Sequence, residues 1–134
     1  MFIPGFLISI VTFPGVIVHE IAHLLLCSAA SVKVREYCLF RFGNPAGYVV
    51  HDKPKSVFKH FLISFGPLLV NTLIAAIIFV FAALSQNMDL VFWFFAWLGV
   101  SIGMHAFPST GDGKSLYQGA VESVKKGNIL SALY

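Results

Sequence analysis

The segment His19-Glu20-Ile21-Ala22-His23 sets two imidazoles four residues apart, with a carboxylate beside the first. On an α-helix, positions i and i+4 lie on one face, so both rings can reach one tetrahedral metal ion. The pattern is H-E-x-x-H, which points to Zn2+ held by His19 and His23. Glu20 is then the general base that takes a proton from water rather than a ligand. Two histidines leave such an ion short of donors. A catalytic zinc site takes three protein ligands and keeps one position open. The further candidates are His51, His60, His105, Asp52, Asp89 and Asp112.

The elements that must position these groups are set by an apolar composition. Of 134 residues, 57% are hydrophobic and only 11% are charged. Soluble domains run at roughly 45–50% apolar and about 25% charged. Nine Lys and Arg with six Asp and Glu cannot coat a water-facing exterior, so residues 1–134 read as a single membrane-embedded domain. The net charge of +3 is spread along the chain with no basic stripe interleaved with aromatics, so nucleic acid is not an expected partner. The N-terminus is apolar from Met1 without a positive n-region, and it reads as a retained span.

A span needs about 20 mostly apolar residues. Residues 2–30, 58–84 and 90–107 qualify, and this predicts a mainly α membrane protein with three transmembrane helices. Pro4 and Pro14 should bend or restart the first. Lys33, Arg35, Arg41, Lys53, Lys55 and Lys59 fall between spans one and two, and Lys114, Lys125 and Lys126 follow span three. The connection 85–89 carries none. The positive-inside rule therefore puts the first connection and the tail in the cytoplasm and the N-terminus outside.

Glu20 lies inside the first span, where a carboxylate costs on the order of 3 kcal/mol, so an idle one is not expected. Asp89 falls on the outer side, away from His19 and His23. Asp112 follows span three at the cytoplasmic end, within Pro108-Ser109-Thr110-Gly111-Asp112-Gly113, and is the expected third ligand. His105 is its rival, with a turn Asp between two glycines as the plainer use of Asp112. Asn71 is an amide in the middle of an apolar span and must find a partner. That partner is either the reacting carbonyl near the metal or a neighbouring helix backbone.

Between the first two spans, Val34, Tyr37, Phe40, Phe42, Tyr48, Val49 and Val50 favour strand around the turn cluster Gly43-Asn44-Pro45-Ala46-Gly47. A short β-hairpin is expected there. The segment 113–126 can form an amphipathic helix on the membrane surface, with Leu116, Ala120, Val121 and Val124 on one side. Cys27 and Cys38 lack metal or redox spacing and read as small buried hydrophobes.

The order of these motifs resembles the site-2 protease family of intramembrane zinc metalloproteases. That family carries H-E-x-x-H in one span, a Gly-Pro closely followed by Asn in the next, and a late Asp as third ligand. Here they correspond to His19–His23, to Gly66-Pro67-Leu68-Leu69-Val70-Asn71, and to Pro108 through Asp112-Gly113. The second motif is one residue longer than usual. In the third, His105 stands where the family has Asn, with one residue fewer before Asp112. The resemblance implies a divergent, minimal three-span member, with zinc on His19, His23 and Asp112, Glu20 activating water, and Asn71 or His105 contacting substrate.

The expected function is hydrolysis of a peptide bond in or near a transmembrane segment of a membrane-protein substrate. The hairpin could hold that stretch in extended form. A catalytically silent relative that binds a membrane partner is the alternative, although it has no reason to keep Glu20. A small metal transporter or sensor would distribute ligands through several spans, whereas here they concentrate toward one end. Substrate identity and oligomeric state are not set by these residues.

Overall fold

The computed structural model describes residues 5–125. Pro4 and Lys126, and with them the outermost ends of the first span and of the tail helix, lie outside this range. The order is α1 (Gly5–Val11), α2 (Phe13–Ala29), β1 (Val34–Cys38), β2 (Tyr48–His51), α3 (Val57–Leu84), α4 (Asp89–Met104) and α5 (Thr110–Lys125). The protein is mainly helical, with one antiparallel two-stranded sheet.

The expected first span is two helices bent by 90° at Thr12. Pro14 falls in the first turn of α2, where its missing N–H costs no hydrogen bond. The free backbone groups at the break are met from α4. Ser101 Oγ donates to the Thr12 carbonyl and accepts from the Gly15 amide, each at 2.9 Å, and Trp97 Nε1 donates to the Val11 carbonyl at 3.0 Å. Gly15 packs directly on the Ser101 carbonyl, where a side chain would collide with backbone. Helix α2 ends with Ser31 at φ 54° and with the Val32 amide bonded to the Cys27 carbonyl at 2.8 Å. That left-handed turn closes the helix and aims the chain into the hairpin.

Of the three expected spans, α3 alone is a single helix long and apolar enough to cross a membrane. Leu69, Leu73, Ile77, Val80 and Leu84 form an exposed apolar face along it, a surface that water does not favour. Helix α3 is continuous through Gly66-Pro67 rather than broken there. Gly66 instead lets Leu26 of α2 come close, and the core nearby is Cys27, Ala30 and Ile63. Both cysteines are free.

Helix α4 has 16 residues, shorter than the segment 90–107 expected to span. Pro108 explains the early stop, because it has no N–H to bond the Met104 carbonyl and its ring crowds that carbonyl. The chain restarts as α5, the helix expected in the tail, which packs on the N-terminal part of α3. His60 Nε2 and Ser115 Oγ are 2.9 Å apart, Gly119 lies against the His60 ring, and Lys53 pairs with Glu122. The His19–His23 segment of α2 is met by the α4–α5 break and by Gly47 of the hairpin loop.

In the hairpin Tyr37 pairs with Val49 and Cys38 with Tyr48, with an irregularity between Val34 and Glu36. Arg35 grips Asp52 with two hydrogen bonds of 2.5 and 3.0 Å. The connecting loop is held by Arg41, whose amide bonds the Ala46 carbonyl and whose Nε bonds the Pro45 carbonyl.

Candidate metal centre

His19 and His23 occur one turn apart on α2, as the i, i+4 spacing requires, and both are buried. Their Nε2 atoms are 3.1 Å apart. Asp112, in the first turn of α5, brings Oδ2 to 3.5 Å from His19 Nε2 and Oδ1 to 3.3 Å from His23 Nε2. Among the described residues these three form the one group of His, Cys, Asp or Glu able to hold a metal ion. The spacing is that of a coordination shell: a tetrahedral ion with bonds of about 2.1 Å has ligand atoms about 3.4 Å apart.

Hydrogen bonding decides which atoms are available. His19 Nδ1 lies 2.6 Å from the His105 carbonyl, which can only accept, so the ring hydrogen is on Nδ1. A neutral ring then presents its lone pair at Nε2, toward His23 and Asp112. Orientation of a ligating imidazole through its distal nitrogen is the usual support for a metal site. Asp112 is held as firmly. Its Oδ2 accepts from the Ser109 amide at 2.9 Å and from the Ser109 hydroxyl at 2.7 Å, while its own amide lies 3.2 Å from that hydroxyl. This is a capping box at the start of α5. Burial alone would raise the Asp112 carboxyl, but the two histidines beside it and the hydrogen bonds from Ser109 hold it well below the usual carboxylate range.

Glu20 is buried beside the two histidines and lines two cavities, of about 560 and 260 Å³. The larger reaches His23 and Asp112 and is bordered by β2 and the start of α5; the smaller reaches His19 and His105. Residues 44–47 of the hairpin loop stand between them. Gly47 is the contact point: a Cβ there would come within 2.8 Å of Glu20 Cγ and 2.9 Å of Val16 Cγ1. Only a residue without a side chain lets the loop lie this close to the carboxylate.

The other sequence candidates do not join the cluster, although His51 lines the larger cavity and His105 the smaller. His105 caps the end of α4, and its ring Nδ1 bonds the Ser101 carbonyl at 3.0 Å, so its contribution to His19 is through backbone. Asn71 is fully buried, and its amide donates to the Ile102 and His105 carbonyls at 3.4 and 3.2 Å. Of the two partners left open for it, the neighbouring helix backbone is the one observed, and it lines neither cavity at Glu20. Asp52 pairs with Arg35 and His60 meets Ser115, both away from the cluster. Two participants were not read from the sequence, Ser109 and Gly47. The Ser109-x-x-Asp112 spacing is a signal that could have found the first; Gly47 carries no signal beyond its place in a turn.

No protein-family profile, curated protein or solved structure matches this chain.

Proposed function

We propose that this protein is a membrane-embedded zinc metalloprotease, a divergent relative of the site-2 protease family, that hydrolyses a peptide bond in or beside a transmembrane segment. The observation that carries the reading is the convergence of His19 Nε2, His23 Nε2 and Asp112 Oδ1 and Oδ2 at separations of 3.1 to 3.5 Å, with the buried Glu20 alongside. Two imidazoles and one carboxylate suit zinc, and three ligands leave the open position that catalysis needs. Such an ion, when bound, supplies Lewis acidity toward a carbonyl oxygen and lowers the pKa of water to about 7.

The chain's own groups supply the rest. Glu20 takes a proton from water as its oxygen bonds to the scissile carbonyl carbon. The same carboxyl then returns the proton to the amide nitrogen as the C–N bond breaks. The products are a carboxylic acid and an amine, and the proton left on the acid passes to the amine to give carboxylate and ammonium. Because a two-stranded sheet leaves an edge of each strand unpaired, β2 at the rim of the larger cavity can hold a substrate in extended form. An unwound substrate is needed, since a helix shields its peptide bonds.

The membrane reading draws on α3 and its exposed apolar face, with the bent α1–α2 pair and α4 as the two further passes. Helix α4 reaches only about 24 Å at 1.5 Å per residue. This fits a site near the break that follows it, within the bilayer rather than beyond it. The charge distribution puts the hairpin and α5 on the cytoplasmic side, with the N-terminus outside.

The test is zinc content and cleavage of membrane-protein substrates by the purified chain, wild type beside Glu20→Gln. The variant is expected to keep its zinc and lose hydrolysis; a wild type without zinc, or a variant that cleaves at the normal rate, overturns the proposal.

A further inference from the structure

The His105 carbonyl is shared by two buried side chains from two different helices. His19 Nδ1 of α2 is 2.6 Å from it, and Asn71 Nδ2 of α3 is 3.2 Å from it. This carbonyl belongs to the residue that ends α4, beyond the last regular turn, where no following helical amide claims it. Its position is therefore set by whatever bonds to it. Asn71 also reaches the Ile102 carbonyl at 3.4 Å, so one amide group holds two of the carbonyls exposed at this helix end. Asn71 is completely buried, and among the described residues its Oδ1 has no hydrogen-bond partner. An amide kept in an apolar interface with one end unsatisfied is destabilising. Packing alone would be met better by Leu or Met.

From this geometry we infer that Asn71 is a positioning residue for the ligand His19, acting through the His105 carbonyl. The NH2 group fixes the carbonyl, the carbonyl fixes the Nδ1 hydrogen, and the ring is left with Nε2 aimed at His23 and Asp112. The chain of contacts joins α3, α4 and α2 at the level of the cluster. Neither Asn71 nor the His105 ring need touch substrate for this role. Groups that bond a ligating His typically change metal affinity by 10–100-fold when removed, and Asn71 holds His19 through one such group. The inference rests on the metal-site reading above and concerns what orients the site.

The full-length protein in detergent, freed of metal and titrated with Co2+ alone and with Zn2+ against a competing chelator, provides the test. Asn71→Ala is expected to weaken both ions by 10–100-fold and to shift the d–d bands of the Co2+ form. Asn71→Asp keeps the size of the side chain but exchanges the donating NH2 for an acceptor. It is expected to change both readouts in the same direction, and serves if the alanine variant does not fold. Ser64→Ala removes another buried polar group from α3, two turns earlier, and is expected to leave affinity and bands as in the wild type. A folded Asn71→Ala or Asn71→Asp with wild-type affinity and bands, even with a lower melting temperature, overturns the inference and leaves Asn71 a structural residue. A wild type that binds neither ion overturns the metal-site reading itself.

Discussion

Ser109 and Asp112 bind one another reciprocally: Asp112 Oδ2 accepts from the Ser109 amide and hydroxyl, and the Ser109 hydroxyl faces the Asp112 amide. The same carboxylate is 3.3 Å from His23 and 3.5 Å from His19. Helix initiation and the placement of this carboxylate beside the two histidines are therefore one event. Ser109→Ala should destabilise the start of α5 by about 1 kcal/mol, the usual cost of a lost N-cap. Because Asp112 loses two hydrogen bonds, metal affinity should fall as well. Thermal melting and chelator competition on the same sample check both effects; unchanged affinity would separate the cap from the ligand.

Asp112 and His105 make opposite predictions. Asp112→Ala removes a ligating oxygen and should reduce metal affinity by more than 100-fold, beyond the range seen for supporting residues. His105→Ala leaves the carbonyl that His19 uses and should retain the metal. Metal content after dialysis, compared across the two variants and His23→Ala, would expose the wrong choice of third ligand if His105→Ala is the one that empties.

Gly47 and Gly43 share a loop but not a surrounding. A Cβ on Gly47 would meet Glu20 Cγ at 2.8 Å, whereas the nearest atom to one on Gly43 is 3.7 Å away, on Arg41. Gly47→Ala should push the loop from Glu20 or turn the carboxylate, slowing hydrolysis at least tenfold with metal content unchanged. Gly43→Ala should behave as wild type. Limited proteolysis of the loop beside the rate assay would reveal whether the hairpin or the carboxylate moved.

The Arg35–Asp52 pair gives the hairpin a defined acid response. A hydrogen bond from Arg35 holds the Asp52 carboxyl below its ordinary value of 3.8. A depressed folded-state value means the pair's contribution is complete above about pH 4 and is lost as pH falls through the lowered value. Amide exchange in Val34–Cys38 should then be insensitive to Asp52→Asn only in strong acid, and faster in the variant at neutral pH. Both partners are exposed, so the effect should be small and should shrink with added salt. Equal exchange in the two proteins at neutral pH would rule the pair out as a clasp.

What could be read from the sequence was what depends on local spacing. His19 and His23 share a face because they lie one helical turn apart, and that follows from helix geometry wherever α2 sits. Strand-forming residues on both sides of a Gly-Asn-Pro-Ala-Gly turn gave the hairpin, and Pro14 gave the restart of the first helix. The same local reasoning erred where a boundary depends on packing. An apolar run to Phe107 looked like one helix, but Pro108 ended α4 at Met104; the helix expected in the tail is present, beginning at Thr110 and packed on α3.

The sequence pointed to Asp112 as the partner of His19 and His23 through its side of the membrane and its place in the motif order, but the contact distances were decided by tertiary structure. Asp112 is 89 residues from His23, and no periodicity states that two groups so far apart will come within 3.3 Å. Asn71 shows the same limit. Its residue type required some hydrogen-bond partner, because an amide is costly to bury alone, but only the packing of α3 against the end of α4 chose the carbonyl that also holds His19. Residue types fixed which bonds had to be made. The tertiary structure chose the partners, since a hydrogen bond or a coordination shell demands distances that only long-range packing sets.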